Sequence, residues 1–222
     1  MIQIKNLHKK YGTHKVLDGI NMQFEKGKVY GIVGENGAGK TTFFNCIAQL
    51  LDYEGTIEAP FSPLKDYIGY LPTDLYFFPM ITGKEYLRFI LNARGVAPID
   101  FQEKNIFELP LENYVSGYST GMKKKLAINA LLLIPNAVII LDEPFNGVDI
   151  HSNMTISALI NIWKQQGKTI LLSSHIFATL DICDELFLLE NGSMGKPIFK
   201  DSFKELEAKM HQKYNDKLLK MI

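Results

Sequence analysis

The sequence predicts an α/β fold: a mainly parallel sheet, an N-terminal antiparallel β subdomain and a small α-helical insertion. Three observations carry that prediction. The apolar run VYGIV leads straight into GENGAGKTT, residues 34–42, and then into a helical pattern, which is the strand, glycine loop and helix order of a P-loop NTPase core. The run AVIIL, residues 137–141, is apolar without interruption, as in a parallel strand covered on both faces. Between them, Tyr86, Leu87, Phe89, Ile90 and Leu91 form one apolar helical face.

The elements follow in order. Alternating and β-branched runs place strands over residues 2–7, 16–24 and 28–33, with turns at Asp18-Gly19 and Lys26-Gly27. This is an antiparallel start. Residues 40–51 read as a helix and residues 67–71 as a short strand before Pro72. From Thr82 to about Tyr114 the pattern is helical, with its apolar face ending at Gly95; a helical subdomain is therefore expected over about 74–134. After Gly121 a helix runs to Ile134, apolar all round from Leu126, which signals burial on every side until Pro135 stops it. A helix over 152–165, a strand over 169–173 and a strand pair around Asn191-Gly192 complete the core. Lysines 200, 204, 209, 213, 217 and 220 mark a solvated helical tail over about 200–222. The expectation is one domain spanning 1–222.

Composition narrows the function classes. The 24 basic and 24 acidic side chains cancel, so no global field points to nucleic acid or an anionic membrane. The two cysteines, Cys46 and Cys183, sit in apolar helix-like contexts and read as buried free thiols of a reducing compartment. The opening residues alternate like a strand rather than a secretory leader. The longest apolar tract, residues 126–141, is interrupted by Asn129, Pro135 and Asn136 and falls short of the ~20 apolar residues of a membrane span. A soluble, cytoplasmic chain is expected.

The phosphate site comes from Gly34, Gly39, Lys40 and Thr41, which match GxxxxGK[ST]. Backbone amides from Gly34 through Glu35, Asn36, Gly37, Ala38 and Gly39 to Thr42 turn inward around phosphate oxygens, and the helix behind adds its positive end. Lys40 reaches the β and γ phosphates, and the Thr41 hydroxyl binds Mg²⁺. In LDEP, Asp142 is the metal-side carboxylate, while Glu143 beside it can polarise a water for attack on the γ phosphate. ATP and Mg²⁺ are the expected cofactors.

One segment remains unexplained by a single P-loop. Ser119 and Gly121 open a helix and make a second anion-binding end, which calls for a second nucleotide. The segment YSTGM, with Ser119, Thr120, Gly121 and Met122, resembles the signature motif of ABC-type ATPases, commonly LSGGQ. The chain from Met1 to about Phe199 is similar to the ATP-binding subunits of ABC transporters. The resemblance implies that two cassettes pair head to tail on ATP, as a homodimer or with a second cassette, each signature closing over the other's P-loop. It further implies that Tyr11 stacks on adenine, that NGVD with Asp149 is the D-loop, with Val148 for the usual Leu, and that His175 contacts the γ phosphate. Thr73 departs from the family, which has Gln or Glu there. Its side chain is shorter, which leaves direct ligation of Mg²⁺ in doubt and favours a water-bridged contact. The pattern TG-KEYL-RF resembles bacterial exporters of the ABC-2 kind. The function implied is an ATPase subunit on the inner face of the cell membrane that drives a separate transmembrane permease and binds no nucleic acid. The alternative class is an ABC-type ATPase acting on ribosomes or DNA, which usually carries two cassettes or long insertions.

Overall fold

The computed structural model describes residues 1–97 and 99–219, so Lys220 of the tail lies outside the described residues. The chain begins with two long strands, β1 (Ile2–Tyr11) and β2 (His14–Phe24), which pair antiparallel. Then come β3 (Val29–Val33), α1 (Lys40–Ile47), β4 (Glu54–Glu58) and β5 (Ile68–Leu71). Next are α2 (Gly83–Ala93), α3 (Thr120–Leu133), β6 (Val138–Asp142), α4 (Ile150–Gln165) and β7 (Thr169–Ser173). The last are α5 (Phe177–Leu180), β8 (Glu185–Glu190), β9 (Ser193–Met194), β10 (Ile198–Phe199) and α6 (Phe203–Leu219).

Two sheets result. A three-stranded antiparallel sheet has the order β2-β1-β4. A larger sheet runs β10-β8-β3-β7-β6-β5, with β5, β6, β7, β3 and β8 parallel and β9 and β10 antiparallel to β8. In β3, β6 and β7 every residue is buried, as expected of strands covered on both faces. Alternate side chains serve two cores. Val138, Ile140 and Leu171 join Phe43, Phe44 and the inner face of the antiparallel sheet, while Ile139, Leu141 and Leu172 meet α3, α4 and α6. The helix α3 is buried without a break from Leu126 to Leu131, so its all-round apolar character has the predicted consequence.

Several expectations need correction. Asp18-Gly19 is no turn: β2 runs through it, and the hairpin turns at residues 12–13. The pair register slips there, with Leu7 opposite Ile20 but Lys9 opposite Leu17, so residues 18 and 19 form a bulge. His8 seals it, its Nδ1 lying 2.9 Å from Asp18 Oδ1 and 3.0 Å from the Gly19 amide. Helix α1 stops at Ile47 instead of residue 51, because Gln49 takes φ +58. The helical pattern from Thr82 yields α2 alone. Residues 99–114 form no α-helix, and turns such as Asn105, whose side chain bonds both backbone groups of Leu109, take its place. Helix α4 begins at Ile150, two residues before the expected start, because Asp149 caps it. Strands β4 and β10 and the short α5 were not foreseen. The strand pair at Asn191-Gly192 is present as β8 and β9, with both turn residues at positive φ, the geometry of a tight hairpin.

Candidate functional site

The parallel strands end together and deliver the site. From the C-terminal end of β3 the loop 34–39 turns into α1, with Gly39 at φ +104, a backbone angle that side-chain-bearing residues rarely take. Lys40 at the helix start is 8% exposed, and its Nζ donates to the carbonyls of Gly34 (2.8 Å) and Glu35 (3.2 Å). Burial pulls Lys40 down from the ordinary lysine value, opposed by the charges of Glu143 and Asp142. The exposed Thr41 donates from Oγ1 to Asp142 Oδ2 at 2.6 Å, joining the loop to the end of β6.

A cleft of about 330 Å³ gathers Gly37, Lys40, Thr41, Thr73, Asp142, Glu143 and His175. Asn36, Gly39 and Thr42 line it too. Glu143, 7% exposed, sits one residue past β6 at φ +54. Its amide donates to Ser173 Oγ (3.0 Å), which itself donates to Asp142 Oδ1 (2.5 Å). Its carboxylate takes the His175 amide on Oε2 (3.3 Å) and faces His175 Nε2 from Oε1 (3.0 Å). Burial raises the Glu143 carboxyl above the ordinary value, with the nearby His175 acting against it. A buried carboxylate of raised basicity beside an orienting imidazole is equipped to take a proton from water.

The donor set fits a small hard cation. Thr41 Oγ1 and Asp142 Oδ2, joined by their hydrogen bond, both belong to the cleft, and hydroxyl and carboxylate oxygens are the hard ligands that Mg²⁺ takes. Two protein oxygens and several waters are a usual Mg²⁺ shell. Thr73 lines the same cleft.

A second cleft, about 280 Å³, adjoins the loop. It is lined by His14, Lys15 and Val16 of β2, by Glu35, Asn36, Gly37 and Ala38, and by residues 189–192. Sequence reasoning missed His14, Lys15 and Val16; the signal was the hairpin next to the aromatic Tyr11. Tyr11 itself, 50% exposed at the hairpin end under the Lys9 ammonium, lines neither cleft.

The signature residues stand apart. Ser119 caps α3 by accepting the Met122 amide at 3.2 Å, with Ser119 and Thr120 exposed and Gly121 and Met122 half-buried. None of the four lines the P-loop cleft. Gly121 packs against the Gly147 carbonyl so closely that a Cβ there would sit 2.8 Å from it. Asp149 caps α4 through Ser152 and pairs with Lys125 at 2.8 Å.

The doubly covered parallel sheet, the glycine loop at the end of β3 and the Thr41–Asp142 link define a P-loop nucleoside triphosphatase. The family model for ABC transporters matches residues 17–146, more than half of the chain, and the chain belongs to that family as an ATP-binding, ATP-hydrolysing subunit. It is 32% identical to the bacitracin transport ATP-binding protein BcrA of Enterococcus faecalis, across 97% of this chain and 73% of that one. It is 34% identical to the ABC transporter ATP-binding protein NatA of Bacillus subtilis, across 81% and 80%. A solved ATP-binding subunit of an ABC transporter superposes with a TM-score of 0.81, at 26% identity over 94% of this chain and 93% of that one. A dimeric cassette bound to ADP and phosphate shares the fold, with a TM-score of 0.79 at 21% identity over 90% and 98%.

Proposed function

We propose that the chain is the motor of an exporter, with two cassettes closing head to tail on ATP and driving a separate transmembrane permease from the inner face of the cell membrane. The observation that carries this is the placement of Ser119 and Thr120: exposed on a helix start, equipped to bind an anion, and absent from their own chain's P-loop cleft. A second cassette's nucleotide gives them their use. The second cassette is another copy of this chain or a relative, and residues 1–222 act as one cassette with a helical part over about 74–134 and a tail over 200–222. The matched ATP-binding protein named for bacitracin transport supports a transport role.

Within this reading the loop 34–42 holds the triphosphate, Lys40 faces the β and γ phosphates, and the base enters by the cleft edged by His14 and Val16, to stack on Tyr11, which lies outside that cleft at the end of the same hairpin. Thr41 and Asp142 hold Mg²⁺, which neutralises charge on the phosphates when bound. Glu143 accepts a proton from the attacking water, and His175 orients that carboxylate and reaches toward the γ phosphate. The permease docks on the aromatic patch beyond Thr73. Tyr76 (76% exposed), Phe78, Met80 and Phe89 form it, with ring centroids 5.7 Å apart for Tyr76 and Phe78 and 5.4 Å for Phe78 and Phe89.

The test of the chemistry is Glu143→Gln. Turnover should fall by about 10²–10⁴-fold, the usual contribution of a general base, while ATP remains bound. Normal turnover in that variant would remove Glu143 from the role. Affinity capture from the native membrane should bring down a polytopic membrane protein; capture of ribosomes instead would overturn the transporter assignment.

A further inference from the structure

Lys124 lies in α3, one turn past the signature residues, and is 4% exposed among Leu126, Ala127 and Ile128. Among the described residues no carboxylate lies at salt-bridge distance from it, and its partners are backbone carbonyls. A buried ammonium without a carboxylate in direct contact is expensive, so its hydrogen bonds must be good. They are: its Nζ donates to the carbonyls of Glu143 and Asn146, each at 2.7 Å. Both acceptors belong to the loop that follows β6.

That loop holds the strained residue. Glu143 at φ +54 sits in a left-handed backbone conformation that is unfavourable for a non-glycine residue and persists only where the surroundings enforce it. Ser173 grips the Glu143 amide from one side, and Lys124 grips the Glu143 carbonyl from the other. With both ends of its backbone held, the residue carries its carboxylate toward His175 and the P-loop cleft. Burial lowers Lys124 from the ordinary lysine value, while the charges of Glu143 and Asp142 hold it up.

We propose that Lys124 is a positioning residue for hydrolysis: it holds the Glu143–Asn146 loop in the left-handed turn that aims the Glu143 carboxylate, and it ties that loop to the signature helix. The proposal rests on Glu143 being the base.

Lys124→Met keeps an unbranched apolar stem, one atom shorter, while deleting both hydrogen bonds and the charge. Lys124→Gln retains one amide donor. Steady-state phosphate release should show Lys124→Met losing about thirtyfold or more in kcat, with KM and equilibrium ATP binding within about threefold, and Lys124→Gln falling between it and the parent. A Lys124→Met enzyme within about threefold of normal kcat, or one whose kcat and ATP binding fall in step, would overturn the proposal. The double variant with Glu143→Gln isolates the route. If Lys124 acts through Glu143, adding Lys124→Met should leave the residual turnover of Glu143→Gln unchanged. A further loss there means that Lys124 acts on something else, and the proposal fails. Should Lys124→Met not fold, the same cycle with Lys124→Gln decides it: a kcat deficit that vanishes beside Glu143→Gln supports the assignment, and a persistent or absent deficit ends it. Failure of the Glu143 reading shows separately, as normal turnover in Glu143→Gln alone.

Discussion

Thr73 and Lys40 face the same cleft with opposite consequences for substitution. Thr41 and Asp142 already offer two oxygens of the kind Mg²⁺ takes, so Thr73→Ala should keep ATP binding and lose at most about tenfold in hydrolysis, ~1.4 kcal/mol of barrier, by phosphate release at saturating Mg²⁺. A dead variant would make the short hydroxyl a direct ligand. Lys40→Ala removes the buried cation of the glycine loop, proposed to face the phosphates, and should lose nucleotide affinity outright in equilibrium binding. The cysteines should stay silent. Cys46 and Cys183 are both free and fully buried, and burial pushes the Cys46 thiol up to about 11, so neither should react with a thiol reagent until the protein unfolds. At this scale the sequence was legible wherever chemistry is written at short spacing, as in Gly39, Lys40 and Thr41 or in Asp142 and Glu143. Ser173 and Lys124 escaped because their bonds to the Asp142–Glu143 pair span 31 and 19 residues. Lys124 also sits inside a run of three lysines, where nothing in the spacing singles it out.

Elements were legible in proportion to their burial. Strands β3, β6 and β7, wholly buried, announced themselves by unbroken apolar runs. Strand β4, EGTIE, is mostly exposed and joins its sheet by backbone pairing with β1, so no side-chain pattern marked it. The Asp18-Gly19 pair misled for a related reason: turn residues also serve bulges, and only the partner strand tells the two apart. Helix α2 carries a complete capping box, in which the Glu85 amide donates to Thr82 Oγ1 and the Glu85 carboxylate takes the Thr82 amide. Thr82→Ala should therefore destabilise by about 1 kcal/mol in urea unfolding. The insertion is tied down at the other end as well, by Arg94 donating to the carbonyls of Asp66 and Ile68. Serine at Tyr76 and Phe78 should abolish co-purification of the permease while ATP binding persists; continued capture would move the docking site elsewhere.

At the scale of the molecule, pairing is the first expectation. Light scattering of Glu143→Gln should give a monomer mass alone and a doubled mass with MgATP. An unchanged mass, repeated with the permease present, would count against signature residues that serve a partner's nucleotide. The order of strands in the large sheet carries a further consequence, for the history of the chain during synthesis. The strand that bears the phosphate loop, β3, is made among the first, yet its hydrogen-bonded neighbours are β7 and β8, more than a hundred residues later. Strands β5 and β6 can find each other on emergence, but β3 has no companion in its sheet until Thr169–Ser173 is available. A nascent chain stalled at residue 165 would hold the whole GENGAGKTT segment while β3 still lacks both of its hydrogen-bonded neighbours. Tethered chains of increasing length, challenged with protease and with labelled ATP, should gain protection of β3 and nucleotide capture in one step as β7 emerges. The fold thus withholds its oldest-made loop from service until the strand that leads to His175 has been written.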